Sequence, residues 1–438
     1  MTHRLQLPEI PESMGRMQTE SLKMTTNLAI GFGKACITPT LPCRLAGFMR
    51  RTEPSYTVAQ DLWARSIVMR TDTTCIAWVI CDLLEVDRGL VNEVRLILRN
   101  VEHLNVDHVM VGATHTHSGP DIGSSWALSA DLEDTDRSRV YRRNLPYAIA
   151  SSVVSASQQM ANTSLSWSEI EVNNVGSLRR SGDRGTQSLR VLTVDTESHR
   201  PLGVVAVYAC HPTVLGPTNL AVSGDLFGAT VGLLEEKLGP SVHCILAQGA
   251  AGDVSTRFTR VERTEQEVLR LAHILADRIV EALHNSLPVP TSTVTLSRRS
   301  VKLPIKPQDT LPDLDIGSIT ASRSRAEADR SIAALREEAE FMRRVQPCTE
   351  QPAELCCLAM GNLRLCFVPG EPFQVVDKAL QSAVPDLTTA VVGYTNGASG
   401  YIFGEEDVLL GGYEVLASPL TSEACSVIVG TLKALAYY

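Results

Sequence analysis

No apolar run in this sequence reaches the ~18 residues that a membrane span needs, so no transmembrane segment is expected. There is no basic excess either. The net charge is −9 and the Arg and Lys residues are scattered, which weighs against a nucleic-acid partner because nothing is massed to neutralise phosphates. No CxxC pair occurs. The eleven cysteines are odd in number, and most lie in apolar, strand-like runs (Cys75, Cys81, Cys210, Cys244 and Cys366). That pattern points to buried reduced thiols and away from disulfides or a cysteine-type zinc site. The first 25 residues lack the apolar core of a secretory signal and read as a flexible tail. Together these features lead us to expect a cytoplasmic protein. There is no GxSxG elbow, no P-loop and no HExxH, and Gly31-Phe32-Gly33 lacks the third glycine of a dinucleotide-binding turn. Repeats, heptads and low-complexity tracts are absent as well.

What remains is an enzyme-like alternation of strand and helix signals. At 438 residues the chain can bury a large core. Residues 26–438 read as one domain, with a subdomain seam near the proline-rich 288–315. Strands are expected at 27–32, 74–82, 108–113, 165–172, 189–194, 204–210 and 242–246. Helical spacing of Leu90, Val91, Val94, Ile97, Leu98 and Val101 follows Asp87, a candidate N-cap. Helices are also expected at 141–161, with Pro146 tolerable only in its first turn, at 225–238, from Thr264 with capping-box spacing to Glu267, and at 326–344. Gly361-Asn362 between two apolar runs is a hairpin signal.

Chemistry concentrates where these strands end. Thr114-His115-Thr116-His117-Ser118-Gly119-Pro120 follows a buried strand. Two histidines at i and i+2 on an extended segment share a face, which suits a metal or a developing oxyanion. The plain alternative is a strand with two incidental polar residues. His211, between Cys210 and Pro212, ends another strand and reads either as a ligand or as a satisfied core histidine. Glu371, between Gly370 and Pro372, suits a metal ligand or a general base, or else a carboxylate favoured by the dipole of a following helix. The loops 249–255, with Ser255, and 396–401 and 411–414, with Tyr401 and Tyr413, are rich in glycine and polar groups. Asp82 and Asp225 are candidates to orient the histidines. Phe48, Trp126 and Phe258 fall in loop-like segments that could line an apolar channel.

In order along the chain, Ala113 to Pro120, His211-Pro212-Thr213, Ser223-Gly224-Asp225, Gly252-Asp253-Val254-Ser255, Pro369-Gly370-Glu371, Gly400-Tyr401 and Tyr413-Glu414 resemble the neutral/alkaline non-lysosomal ceramidase family, as a catalytic-domain-only member. The resemblance implies an α/β fold of mixed, layered β-sheets flanked by helices. It implies one zinc ion per chain held by His115, His211, Glu371 and Tyr401. His117 would stabilise the oxyanion, Ser255 would lie beside the scissile amide, and Tyr413 and Arg179 (in preference to Arg180) would contact substrate.

The activity so implied is zinc-dependent hydrolysis of an N-acyl amide by water activated at the metal. The substrate would be a small ceramide-like or soluble amide, in lipid or secondary metabolism. Two other uses of the site stay open. One is a biosynthetic enzyme that forms or rearranges an amide, lactam or ester through the same tetrahedral intermediate. The other is a non-catalytic binding protein on this fold. The oligomeric state is not legible in the sequence.

Overall fold

Alternation along the strands sorts apolar side chains into two sets. In Cys75–Cys81, Ile76, Trp78 and Ile80 face one core, while Cys75, Ala77, Val79 and Cys81 face another. The antiparallel neighbour Trp63–Arg70 divides in the same way, with Ile67 and Met69 on one side and Ala64 and Val68 on the other. A sheet buried on both faces must be covered on both. The computed structural model, which describes residues 28–48, 51, 53–123, 136–180, 186–291, 294–307 and 350–438, shows what covers it.

The larger sheet runs in the order His243–Gln248, Pro201–Tyr208, Gln187–Thr196, Ala161–Val172, Ala29–Cys36, Trp63–Arg70, Cys75–Cys81, His108–Ala113, and Leu287–Val289 pairs onto Ala161–Val172. A second sheet holds Val294–Pro304, Glu350–Met360, Leu363–Phe367 and Thr388–Val392. The large apolar residues of both sheets meet in one core, where Trp78 touches Phe367 edge to face at 5.1 Å. Each such fully buried aliphatic or aromatic side chain contributes roughly 1.5–3 kcal/mol. Helices Arg88–Arg99 and Asp136–Ser157, and also Asp225–Leu238 and Glu265–His284, cover the outer face of the larger sheet. Gln374–Ala383 and Glu423–Ala436 cover the smaller one. The result is a helix–sheet–sheet–helix sandwich, in line with the expected layering.

Local signals translate directly in several places. Asp87 accepts the Leu90 amide at 2.7 Å as an N-cap. Gly361-Asn362 closes the hairpin between Met360 and Leu363, with Gly361 at φ +56. Thr264 accepts the Glu267 amide, but the Glu267 carboxylate turns to Val261 N and Arg270, so only one arm of the capping box forms. Pro146 departs from expectation. Its helix starts by Asp136, so the proline lies in the interior, where its missing N–H costs an intrahelical bond. The chain passes from one sheet to the other between Leu287–Val289 and Val294–Pro304. The tail 1–25, the helix at 326–344, Trp126 and the end of the 288–315 stretch lie outside the described residues.

Within the two main sheets, as described, three strand pairs are parallel: Cys75–Cys81 with His108–Ala113, Pro201–Tyr208 with His243–Gln248, and Leu363–Phe367 with Thr388–Val392. Their C-terminal ends are stitched together. Ala113 N donates to Tyr394 O at 3.1 Å, Gly393 N to Gln248 O at 3.0 Å, and the Gln248 side chain to Thr114 O at 3.0 Å. Ligand sites favour the carboxyl ends of parallel strands, and His115, His117, His211 and Glu371 all follow such ends.

Candidate metal centre

His115 and His117 leave the end of His108–Ala113, His211 lies just past Pro201–Tyr208, and Glu371 follows Leu363–Phe367. Their tips converge. Glu371 Oε2 is 3.3 Å from His115 Nε2 and 3.1 Å from His211 Nε2, and His117 Nε2 is 3.3 Å from His115 Nε2. The two neighbouring histidines do not meet through strand alternation. The strand stops at Ala113, and His115 takes a left-handed conformation at φ +66 that turns its ring edge-on to His117, with centroids 4.8 Å apart. Tyr394 (φ +55) and Asn396 (φ +64) are left-handed too. Non-glycine residues held this way cost about 1–3 kcal/mol each and gather at functional sites.

A backbone carbonyl sits against the Nδ1 of every ring: Leu84 O on His115 at 2.7 Å, Gly47 O on His117 at 2.9 Å and Ala251 O on His211 at 2.8 Å. A carbonyl can only accept, so each Nδ1 carries the hydrogen, and in the neutral ring Nε2 is left as an acceptor. Burial, reinforced by the neighbouring His115 and His211, pushes the pKa of His117 well below the ordinary value. Burial and then Arg179 bring His211 down to about 4. Burial alone would raise Glu371, yet His115 and His211 hold its carboxyl far below the usual carboxylate range. Three Nε2 nitrogens and a carboxylate oxygen therefore face one another, and with neutral rings every one of these atoms is an acceptor. His211 Nε2 is buried without a hydrogen-bond partner among the described residues. A cation removes that conflict. Tetrahedral zinc with bonds of ~2.0–2.1 Å sets its ligands about 3.3 Å apart, and these separations fit that spacing. His115, His117 and His211 form a group able to hold a metal ion.

Tyr401 joins the same cluster. Glu371–Pro372 pairs in parallel with Tyr401–Ile402, which sets Tyr401 directly beside Glu371. The Tyr401 ring stacks on His211 at 6.4 Å, and its hydroxyl is hydrogen-bonded by Arg179. Arg179 is anchored by Glu414 at 3.0 Å, whereas Arg180 turns away to Asp407 and Gly411. Tyr413 packs edge-on against Tyr401 at 6.3 Å. Ser255 lies opposite His211 across a parallel bridge. Phe48 packs 5.0 Å from the His117 ring, and Phe258 is half-buried near Ser177.

Residues 28–269 match the family model described as neutral/alkaline non-lysosomal ceramidase, N-terminal. The chain belongs to the neutral/alkaline non-lysosomal ceramidase family. Among solved structures it is similar to the neutral ceramidase from Pseudomonas aeruginosa, with TM-score 0.75 and 18% identity over 94% of this chain and 74% of that one. It is also similar to a ceramidase complexed with C2, with TM-score 0.73 and 17% identity over 94% and 75% of the two chains. No curated protein matches the chain. Ceramidase family and fold suggest an amide hydrolase.

Some residues of this ceramidase-family site were not evident from the sequence. Tyr394 donates to Glu371 Oε2 at 3.3 Å and lies 4.4 Å from the His115 ring. Its position just past an apolar strand, the same signal that marks His211, could have found it. Gln248 donates to Thr114 O and to Cys210 O at 2.8 Å, tying the two histidine-bearing strand ends together. Asp82 and Asp225 do not orient the histidines. Asp82 pairs with Arg65, and Asp225 accepts the amides of Val214, Leu215 and Leu226. Backbone carbonyls orient all three rings, and no residue type in the sequence announces a carbonyl.

Proposed function

We propose that the protein is a zinc-dependent amidohydrolase acting on an N-acyl substrate, with one zinc per chain held by His115, His211, Glu371 and Tyr401. The observation that carries this reading is the meeting of Nε2 of His115 and Nε2 of His211 with Glu371 Oε2 at 3.1–3.3 Å in a buried centre. Zinc, when bound, supplies Lewis-acid polarisation of a carbonyl and renders water acidic near neutral pH. Burial and then Glu371 push the Tyr401 hydroxyl well above its ordinary pKa, and Arg179, donating to it, opposes that shift, so a ligating tyrosine would owe its deprotonation to the bound metal as well.

His117 does the proton work in this reading. Its Nδ1 hydrogen is committed to Gly47 O, so Nε2 starts as an acceptor. It takes the proton of the attacking water and then, as imidazolium, faces the tetrahedral oxyanion and returns the proton to the leaving amine nitrogen. The oxyanion role implied by family resemblance thus comes second, after the ring has gained its proton. Ser255, bridged to His211, and Arg179 and Tyr413, both against Tyr401, are the residues this reading assigns to contact the amide.

The test is a panel of N-acylsphingosines and soluble N-acyl amides, assayed with zinc-stripped and zinc-restored enzyme. The expected result is stoichiometric release of acid and amine only when zinc is restored, with a loss of roughly 100- to 10,000-fold in kcat for His117→Ala. Amide formation from amine and acyl donor, without net hydrolysis, would assign the site to synthesis instead.

A further inference from the structure

We infer that Arg51 is a positioning residue that acts through His117, an inference that rests on the acid–base role of His117 above. Arg51 is buried, and its contacts are unusual for a buried cation. Nη2 donates to Ala46 O and, at 2.6 Å, to His117 O, and Nη1 donates to Asn219 O at 3.3 Å. The guanidinium also lies 5.1 Å over the Phe48 ring. No carboxylate among the described residues pairs with it. Burial accordingly lowers its pKa to about 10, opposed only by Cys43.

A buried charge without a counter-charge is costly, and an apolar residue of similar volume often serves packing as well or better. The fork geometry gives Arg51 a different use, since one planar group can satisfy carbonyls on separate segments. Here those segments are the ones that set His117. The 46–48 loop supplies Gly47 O, the acceptor of the His117 Nδ1 hydrogen, and Arg51 binds the carbonyl just before it and the carbonyl of His117 itself. Asn219 in turn donates to Ser118 Oγ at 2.9 Å. Arg51 therefore fixes both ends of the bond that aims His117 Nε2 at the centre. Among the described residues, no arginine binds the carbonyls beside the other two rings in this way. Their acceptors, Leu84 and Ala251, lie close behind the strand ends Cys81 and Gln248, whereas Gly47 lies in a loop.

The test compares Arg51→Met, His117→Ala and the double variant, using zinc content, kcat and KM on the best substrate of the panel, and the imidazole N–H signals of the histidine-15N-labelled protein. The expected result is that Arg51→Met keeps its zinc and its KM and loses the protected His117 Nδ1–H signal. Its kcat falls roughly 10- to 100-fold, the scale of a small misplacement of a catalytic group. The double variant is no slower than His117→Ala alone, because the two residues act as one unit. An unchanged His117 signal, or a double variant whose loss is the product of the single losses, would overturn the inference. If Arg51→Met does not fold, Arg51→Lys, which keeps the charge and loses the fork, carries the same comparison. If the wild type hydrolyses no amide, the functional reading fails by itself, and the His117 signal alone decides the role of Arg51.

Discussion

Each imidazole of the centre has one nitrogen committed to a backbone carbonyl and the other turned to the centre, and two consequences follow at the scale of single residues. The first concerns acid. His211 is lowered to about 4, and His117 is lowered in the same direction, against an unfolded value near 6.5. Between those values the unfolded chain binds more protons than the folded one, so stability rises with pH. It is complete above about 6.5 and is lost as pH falls toward 4, by up to about 1.4 kcal/mol per pH unit for each ring. Urea denaturation of zinc-stripped protein at pH 7 and pH 5 should show this loss, and His211→Gln should flatten it. The second concerns Gly47. A Cβ there would lie 2.4 Å from His117 Nδ1, on a backbone at φ +96. Gly47→Ala should lower kcat at least 10-fold while the zinc content stays at the wild-type level. At this scale the sequence was partly legible. His115, His211 and Glu371 announced themselves as polar residues abruptly ending apolar strands. The left-handed turn at His115 that makes the rings meet, and the carbonyls that fix their tautomers, carry no residue signature.

At the scale of elements, the site depends on how strands and helices are packed one upon another. The Asp136–Ser157 helix lies so close to Ala29–Cys36 that a Cβ on Gly31 would come 2.0 Å from Ala156 O, and one on Gly33 would come 2.3 Å from Ser152 O. Gly31→Ala should therefore destabilise the fold by about 1–3 kcal/mol through overpacking, read from the urea midpoint, with zinc stoichiometry unchanged in the folded fraction. The Gly31-Phe32-Gly33 pattern is thus a close-packing feature of an inner strand. Tyr394→Phe removes the hydroxyl that donates to Glu371. It should weaken zinc roughly 10- to 100-fold, measurable by competition with a chelator. Strand positions were readable because alternation and apolar runs are local. The start of the Asp136–Ser157 helix was not, because Pro146 looked like an early residue and the helix tolerates it in the interior. Pairing of the short Glu371–Pro372 and Tyr401–Ile402 strands is set by long-range docking that no window of sequence contains.

At the scale of the whole molecule, two sheets share one core, and three parallel strand pairs end at the same place. The layered architecture was expected through the family resemblance, and the two apolar faces of Cys75–Cys81, which demand cover on each side, supply its physical reason. The order of strands in the sheets was not, since it depends on contacts far apart in the chain. Membership of the ceramidase family and the likeness to the neutral ceramidase fold suggest an amide hydrolase. The central claim is that these ends hold a catalytic zinc through His115, His211, Glu371 and Tyr401, while His117 stays free to move protons. Metal content of the purified protein by mass spectrometry tests it most directly, in the wild type and in His115→Ala, Glu371→Ala and His117→Ala. The account predicts about one zinc per chain in the wild type and in His117→Ala, and none in the other two. A folded wild type that takes up no zinc even when zinc is added back, or a His117→Ala variant that loses it as His115→Ala does, would contradict the account.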